Sequence, residues 1–283
     1  MAIALPTLDD RVTWSIRVVD ADSGVVLAEH APDVMCETAS IGKIFLLIEV
    51  ARRLVDGSLA PDDVVAIPAE HRVADSGLLY RMRSQTISVH DAALLVGAFS
   101  DNLATNALIA LCGLEQVRAV APGLGYRDTA LHDYIRSERT PDLPWTPSYG
   151  TGAELADVLR RLGAGDVFSP EVSAMVMDWL AADADTSMVA DALLLDPLAH
   201  VEAEYQDMVL RHKTGSTSSA RIDAGHLAAP AASVAYAVAA NWKGSGVDLR
   251  APVLDAMHAI GEELRRHVTG RDRDDAGMEH ASA

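Results

Sequence analysis

Apolar residues along the chain follow two different periods. In residues 11–20, RVTWSIRVVD, the side chains of Val12, Trp14, Ile16 and Val18 alternate with their neighbours, which predicts a half-buried strand. The turn ADSG leads into VVLAEH, and the pair reads as a β-hairpin. The pattern then changes. IGKIFLLIEVARRL, residues 41–54, is apolar on nearly every side, as in a helix buried in the middle of a domain, and Gly57 is its stop. Up to about residue 200 the reading is helical, through SVHDAALLVGAF, NLATNALIALCG, LEQVRAVAPG, GAELADVLRRLG and SPEVSAMVMDWLAA. Residues 126–152 interrupt it. Rich in Pro, Thr, Asp and Gly and without periodicity, they are predicted to form one long loop, and loops of that length in compact domains are usually functional.

Strand patterns resume near residue 207 with MVLRHKTG, ARIDAGHLAA and SVAYAVAANW. RAPVLDAMHAIGEELRRH then reads as an amphipathic helix, with Pro252 in its first turn and Val253, Leu254, Met257, Ile260 and Leu264 along one stripe. This order predicts an α/β fold of the α+β sandwich type, in which an antiparallel sheet is flanked by terminal helices. Residues 1–36 and 205–269 form that unit, residues 37–204 form an inserted all-helical domain, and the polar stretch 270–283 is a disordered tail. A cleft between two such units is a preferred place for a site.

Composition narrows the function. The 283 residues carry a net charge of −18, which makes nucleic acid and anionic membrane poor partners. No apolar run approaches the roughly 18 residues needed to span a bilayer. The start, MAIALPTLDDRV, has no basic segment ahead of a long apolar stretch, so a cytoplasmic location is expected as written, or a periplasmic or secreted one if an export signal was trimmed. Cys36 and Cys112 are too few for a disulfide framework, and the ten histidines lack metal-ligand spacing, so neither metal nor cofactor is expected. A monomer is expected.

The chain uses 20 arginines and only three lysines, Lys43, Lys213 and Lys243. A lysine kept against that bias suggests work that arginine cannot do, because a desolvated amine can lose its proton. In Ser40-Ile41-Gly42-Lys43, the i and i+3 positions of a helix start place a hydroxyl beside an amine embedded among Ile44, Phe45 and Leu47. That pairs a nucleophile with a base; the alternative is a capping serine with a lysine that snorkels to the surface. In Ser100-Asp101-Asn102, Ser100 could relay a proton and Asn102 could bind a substrate amide, while Asp101 suits the cap of the next helix. In Lys213-Thr214-Gly215, the lysine and threonine could hold a carboxylate, and Gly215 would let a ligand approach the backbone; the alternative is a hairpin turn with a surface lysine. The Ser216 N–H is a candidate oxyanion donor beside that of Ser40, and Arg211, His212 and Arg221 add positive charge, which suggests an anionic ligand.

Taken together, SxxK, SDN and KTG in this order resemble the serine β-lactamase and penicillin-binding-protein superfamily, and TASIGKIFLL, SDNLATNALIAL and HKTGSTSSARIDAGHL look like class A β-lactamase-related sequences. The resemblance covers roughly residues 11–266 and implies a β-lactamase/transpeptidase-like fold. It implies Ser40 as acylated nucleophile, Lys43 as its base and Ser100 as proton shuttle. Asn102, Lys213, Thr214, Gly215, Ser216 and Arg221 would bind the substrate, a small molecule carrying a carboxylate. The family also uses a loop glutamate in an ExxLN pattern to release the acyl group. That pattern is absent here. Counting from Ser100 places the expected position at Arg136 or Ser137, with Asp133 and Asp142 nearby. Glu138, one residue on, is the expected base, and a solvated loop acid is the alternative. A class A β-lactamase-like serine hydrolase is therefore expected, with a D-Ala-D-Ala-type peptidase or esterase, or a non-catalytic penicillin-binding sensor that releases its acyl group slowly, as alternatives.

Overall fold

The computed structural model describes residues 2–67, 69–84, 86–198 and 207–270. In chain order its strands are β1 (Thr13–Asp20), β2 (Val26–His30), β3 (Cys36–Glu37), β4 (Val64–Ala66), β5 (Thr86–Ser88), β6 (Ala130–Leu131), β7 (Ser148–Gly150), β8 (Val209–Thr217), β9 (Ala220–Ala229) and β10 (Ala232–Asn241). Its helices are α1 (Lys43–Val55), α2 (Val89–Phe99), α3 (Asn102–Cys112), α4 (Leu114–Gly123), α5 (Gly152–Gly163), α6 (Pro170–Ala181) and α7 (Arg250–Thr269). Several helices start where a side chain satisfies an otherwise unpaired N–H: Ser88 accepts from Asp91, Thr151 from Glu154 and Ser169 from Val172.

Strands from both ends of the chain meet in one antiparallel sheet of order β2-β1-β10-β9-β8. Its two faces bury different residues. Trp14, Ile16, Val18, Val238 and Leu210 share a core with Val253, Met257, Ile260 and Leu264 of α7. Full burial of each of the larger aliphatic side chains is worth about 1.5–3 kcal/mol. The opposite face presents Ala235, Ala237, Ala239, Ile222 and Ala224 to the helical block, with α5 and α6 against it. These small residues let α5 come close. A Cβ on its Gly152 would stand 2.9 Å from the Ile16 backbone nitrogen. β1 is consequently covered on both faces, with Ser15 and Val19 buried too, rather than half-buried as its alternation suggests. The flanking layer on this side comes from the middle of the chain, and α7 is the one terminal helix among the described residues.

α1 is the axis of the helical block. Ile44 through Ile48 are all fully buried, with α2, α3, α4 and α6 around them. The stretch predicted as one long loop is pinned at both ends: β6 and β7 join β3 in a small sheet of order β3-β7-β6. Strands of two or three residues are too short to leave an alternation signal. The two sheets are tied together by one side chain. Asn241, at the end of β10, accepts from Glu37 N at 2.7 Å and donates to Glu37 O at 3.0 Å. No single helix among the described residues is long and apolar enough to cross a membrane. The tail predicted from residue 270 lies, after Gly270, outside the described residues.

Candidate active site

Ser40 lies between β3 and α1, inside a 3₁₀ turn spanning Ala39–Gly42. It is not the cap of α1; Gly42 holds that position and offers no side chain to the helix. In 3₁₀ geometry positions i and i+3 eclipse, which brings Ser40 in the turn and Lys43 at its C-cap toward one side. The turn is held on three sides. Ala39 is forced to φ 48°, a Cβ on Gly42 would collide with Ser148 of β7, and a Cβ on Gly215 of β8 would stand 2.5 Å from Thr38 O and 3.1 Å from Ser40 N. Gly215 therefore allows strand β8 to approach the backbone of the Ser40 turn, a different close approach from the ligand contact that its sequence context suggests.

Lys43 is fully buried. Its Nζ lies 2.6 Å from Ser100 O, 3.1 Å from Ser100 Oγ and 2.8 Å from Asn102 Oδ1. Burial first, and the nearby Lys213 charge second, push this amine well below the ordinary lysine range, against the pull of Asp101, Asp183 and Asp75. Ser100 reaches it from the end of α2 through left-handed backbone, φ 50° and ψ 38°. Asp101 is structural, as its sequence context suggests. One oxygen caps α3 through Ala104 N at 2.9 Å, and the other accepts from Leu78 N and Leu79 N, both at 2.7 Å. That fixes Asn102 in the first turn of α3. Ser40, Ser100, Asn102, Thr214 and Ser216 all line one cavity of about 450 Å³.

β8 is the edge strand on the side of this cavity. Thr214 N points off the sheet and donates to Asp183 Oδ2 at 3.2 Å. The two-residue backbone period sends Ser216 N outward from the same edge, and Ser216 and Ser40 line the same cavity. The expected pair of oxyanion donors is thus on adjacent backbones.

A model of the beta-lactamase enzyme family matches residues 5–268. The chain belongs to that family. A β-lactamase from Sphaerobacter thermophilus DSM 20745 has 25% identity and a TM-score of 0.78, with 92% of this chain and 93% of that one covered. A β-lactamase from Xanthomonas campestris pv. campestris str. ATCC 33913 has 22% identity and a TM-score of 0.74, over 90% and 92%. PBP-A, as the acyl-enzyme complex of a point mutant with penicillin G, has 17% identity and a TM-score of 0.74, over 93% and 92%. No curated protein matches the chain. This β-lactamase-family protein is a serine hydrolase of β-lactamase-like type, and its mixed fold is the one these structures share.

Against this background, four expected residues of the family member sit differently from what the sequence suggests. Lys213 is fully buried, with Nζ 3.1 Å from Asp183 Oδ2. Thr214 lines the cavity and shares it with a carboxylate of the protein, Asp185. Arg221 pairs across the sheet with Ser216, while Lys213 pairs with Ala224, so the two point to opposite faces. Its guanidinium donates to Thr217 O and Ala220 O, both at 2.7 Å, and it does not line the cavity. Glu138 is exposed and outside the cavity lining. Its neighbour Asp133 is buried and bound to Arg136 and Arg139, at 2.9 and 2.8 Å. The positive charge expected beside Lys213 is likewise dispersed: His212 is sealed against Asp223 at 3.1 Å on the α7 face, and Arg211 lies on a different cavity, with His226.

Three acids go unnoticed in the sequence. Asp183 and Asp185 fall in the turn after α6, where AADADTS reads as a helix end, and Asp75 sits at φ 84° in the segment before α2. A signal for Asp183 did exist: a buried lysine requires a partner.

Proposed function

We propose that this family member is a class A-type acyl-serine hydrolase in which Ser40 attacks the carbonyl of a β-lactam or a related amide or ester. The single observation that carries this reading is the buried Lys43 amine, held against Ser100, which lines the same cavity as Ser40. As a neutral amine, Lys43 takes the proton from Ser40 Oγ while that oxygen forms the new bond to carbon. The N–H groups of Ser40 and Ser216 stabilise the oxyanion. Ser100 then passes the proton from Lys43 to the leaving nitrogen or oxygen, the scissile bond breaks, and an ester on Ser40 remains.

A second reading concerns release. The position of Glu138 in solvent and the two arginines on Asp133 favour slow deacylation. On this reading the protein holds penicillin as a lasting adduct, in the manner of a penicillin-binding protein, or turns over peptide or ester substrates instead. The relative PBP-A, named as an acyl-enzyme complex with penicillin G, supports it by analogy of fold.

Intact mass after exposure to penicillin G tests the nucleophile, and turnover of a chromogenic cephalosporin tests release. Wild type should gain one penicillin and Ser40→Ala none. Equal labelling of Ser40→Ala would sink the assignment. An adduct that persists for hours, with little cephalosporin turnover, is expected from the second reading and excludes efficient β-lactamase activity.

A further inference from the structure

A second cavity, of about 250 Å³, lies between the end of α5, the first half of α6 and the strands β8 and β9. Among the described lining residues it shares none with the cavity at Ser40. Arg211 of β8 and His226 of β9 are cross-strand partners, so their side chains leave the sheet on one face, and both line this cavity. Gly163 makes room for the imidazole: a Cβ there would stand 2.4 Å from His226 Cδ2 and 2.5 Å from its Nε2. Leu162, Pro170, Ala174 and Met177 supply an apolar wall.

Arg211 Nε and His226 Nδ1 are both buried without a hydrogen-bond partner among the described residues, and His226 as a whole is only 9% exposed. Buried polar groups are ordinarily bonded, so the pair calls for an acceptor. The chain has carboxylates to spare, 41 against 23 lysines and arginines, and other arginines take them. Arg52 and Arg53 share Glu49, Arg136 and Arg139 share Asp133, and Arg160 takes Asp157. Asp178, the acid of the cavity lining, is exposed, so water screens its charge. Burial first and the Arg211 charge second push the His226 ring down to about 4, against the pull of Asp22. At neutral pH it is therefore an uncharged imidazole with one N–H to donate, and Arg211 holds the positive charge of the lining. A guanidinium fork meets a carboxylate through two parallel N–H groups. A single cation beside four apolar side chains suits a monoanion with an apolar body. A small dianion would leave that wall unused and meet Asp178 with twice the charge.

We propose that this cavity is a second binding site, which takes a small monocarboxylate with a compact apolar body: the carboxylate bonds to Arg211 and His226, and the body lies against Leu162, Pro170, Ala174 and Met177. The site stands independently of the reading of Ser40 as a nucleophile, because the two cavities have no described lining residue in common.

Benzoate is the probe, titrated into the whole protein at about pH 7, where it is ionised and His226 is not, with backbone amide and arginine Nε–H resonances followed by NMR. It should bind with a Kd on the order of 1 mM, as a ligand of this size allows, and shift the amides of Gly163 and Ala174 and the Nε–H of Arg211. Benzamide, of the same shape but uncharged, should bind about tenfold more weakly or worse, and so should inorganic phosphate. Arg211→Gln should weaken benzoate by about tenfold or more. The absence of a saturable shift at Arg211, including the case in which only Ser100, Asn102 and their neighbours respond, overturns the site. Equal affinity for benzamide overturns recognition through charge, and tighter binding of phosphate overturns the carboxylate assignment. These three outcomes are read on the wild type, whatever the fold of the variant. Benzoate held as tightly by a folded Arg211→Gln protein overturns the role of the guanidinium.

Discussion

Lys43 Nζ lies 2.6 Å from the Ser100 carbonyl oxygen and 3.1 Å from the Ser100 hydroxyl, so one residue gives the amine both a fixed acceptor and a proton partner. Left-handed backbone at Ser100 turns both groups the same way, and a non-glycine residue in that region is a strain of about 1–3 kcal/mol that the surrounding structure holds in place.

The lysine should set the pH dependence of acylation. Protonated, Lys43 cannot accept the Ser40 proton, so the acylation rate should rise with pH through its pKa and level off above it. Because that pKa is pushed well below the ordinary lysine range, the plateau should be reached well under about pH 10. Lys43→Arg keeps the charge, removes the rising limb and should slow acylation by about 10²–10⁴-fold. Rapid-quench mass spectrometry across pH measures both.

Gly215→Ala tests how tightly β8 holds Ser40, the proposed nucleophile. Its methyl group would press on Thr38 O and Ser40 N, at 2.5 and 3.1 Å. Displacement of Ser40 by even part of an ångström should lower the acylation rate by about 10²-fold. Circular dichroism should meanwhile report a retained fold. An unaltered acylation rate would show that the Ser40 turn yields freely.

Asp133→Asn should loosen the loop that it anchors. Arg136 and Arg139 would lose their buried partner, at a cost of about 2 kcal/mol at neutral pH. Burial alone would raise the Asp133 pKa, yet its bonds to Arg136 and Arg139 bring it below the ordinary value. Its contribution is therefore complete above the unfolded pKa of about 4 and lost as pH falls through the lower folded value. Urea denaturation should show the gap between wild type and Asp133→Asn closing as the pH falls below about 4. A gap that widens in acid would contradict the ion-pair account.

Glu138→Gln should change neither acylation nor the lifetime of the acyl-enzyme by more than about twofold, since surface substitutions of this sort have small effects. A tenfold longer adduct, read by intact mass against time, would return Glu138 to the chemistry.

Much of this architecture was legible because local signals were strong. Capping residues Ser88 and Ser169 stand one position before their helices, and the alternation in ARIDAGHLAA delimits β9 at Ala220–Ala229. The three motifs also converge: Ser40, Ser100, Asn102 and Thr214 reach one cavity. What sequence spacing could not convey was orientation and partnership. Arg221 lies only eight positions after Lys213, but strand parity decides which face each occupies, and a single residue reverses it. Asp183 meets Lys213 across 30 residues, in a turn without periodicity. Short strands such as β3 and β7 are specified by tertiary pairing rather than by any pattern of their own.

The Asn241 amide that clasps Glu37 spans 204 positions of sequence. This has a consequence for the order in which the protein matures. During synthesis Ser40 and Lys43 emerge early, while Gly215, which packs on the Ser40 turn, and Asn241, which holds Glu37, emerge only in the last third of the chain. Such long-range contacts form late because loop closure must precede them. On the proposed reading of Ser40 and Lys43, a nascent or prematurely terminated chain carries the pair without its alignment, and acylating power should arrive only when the final strands have docked.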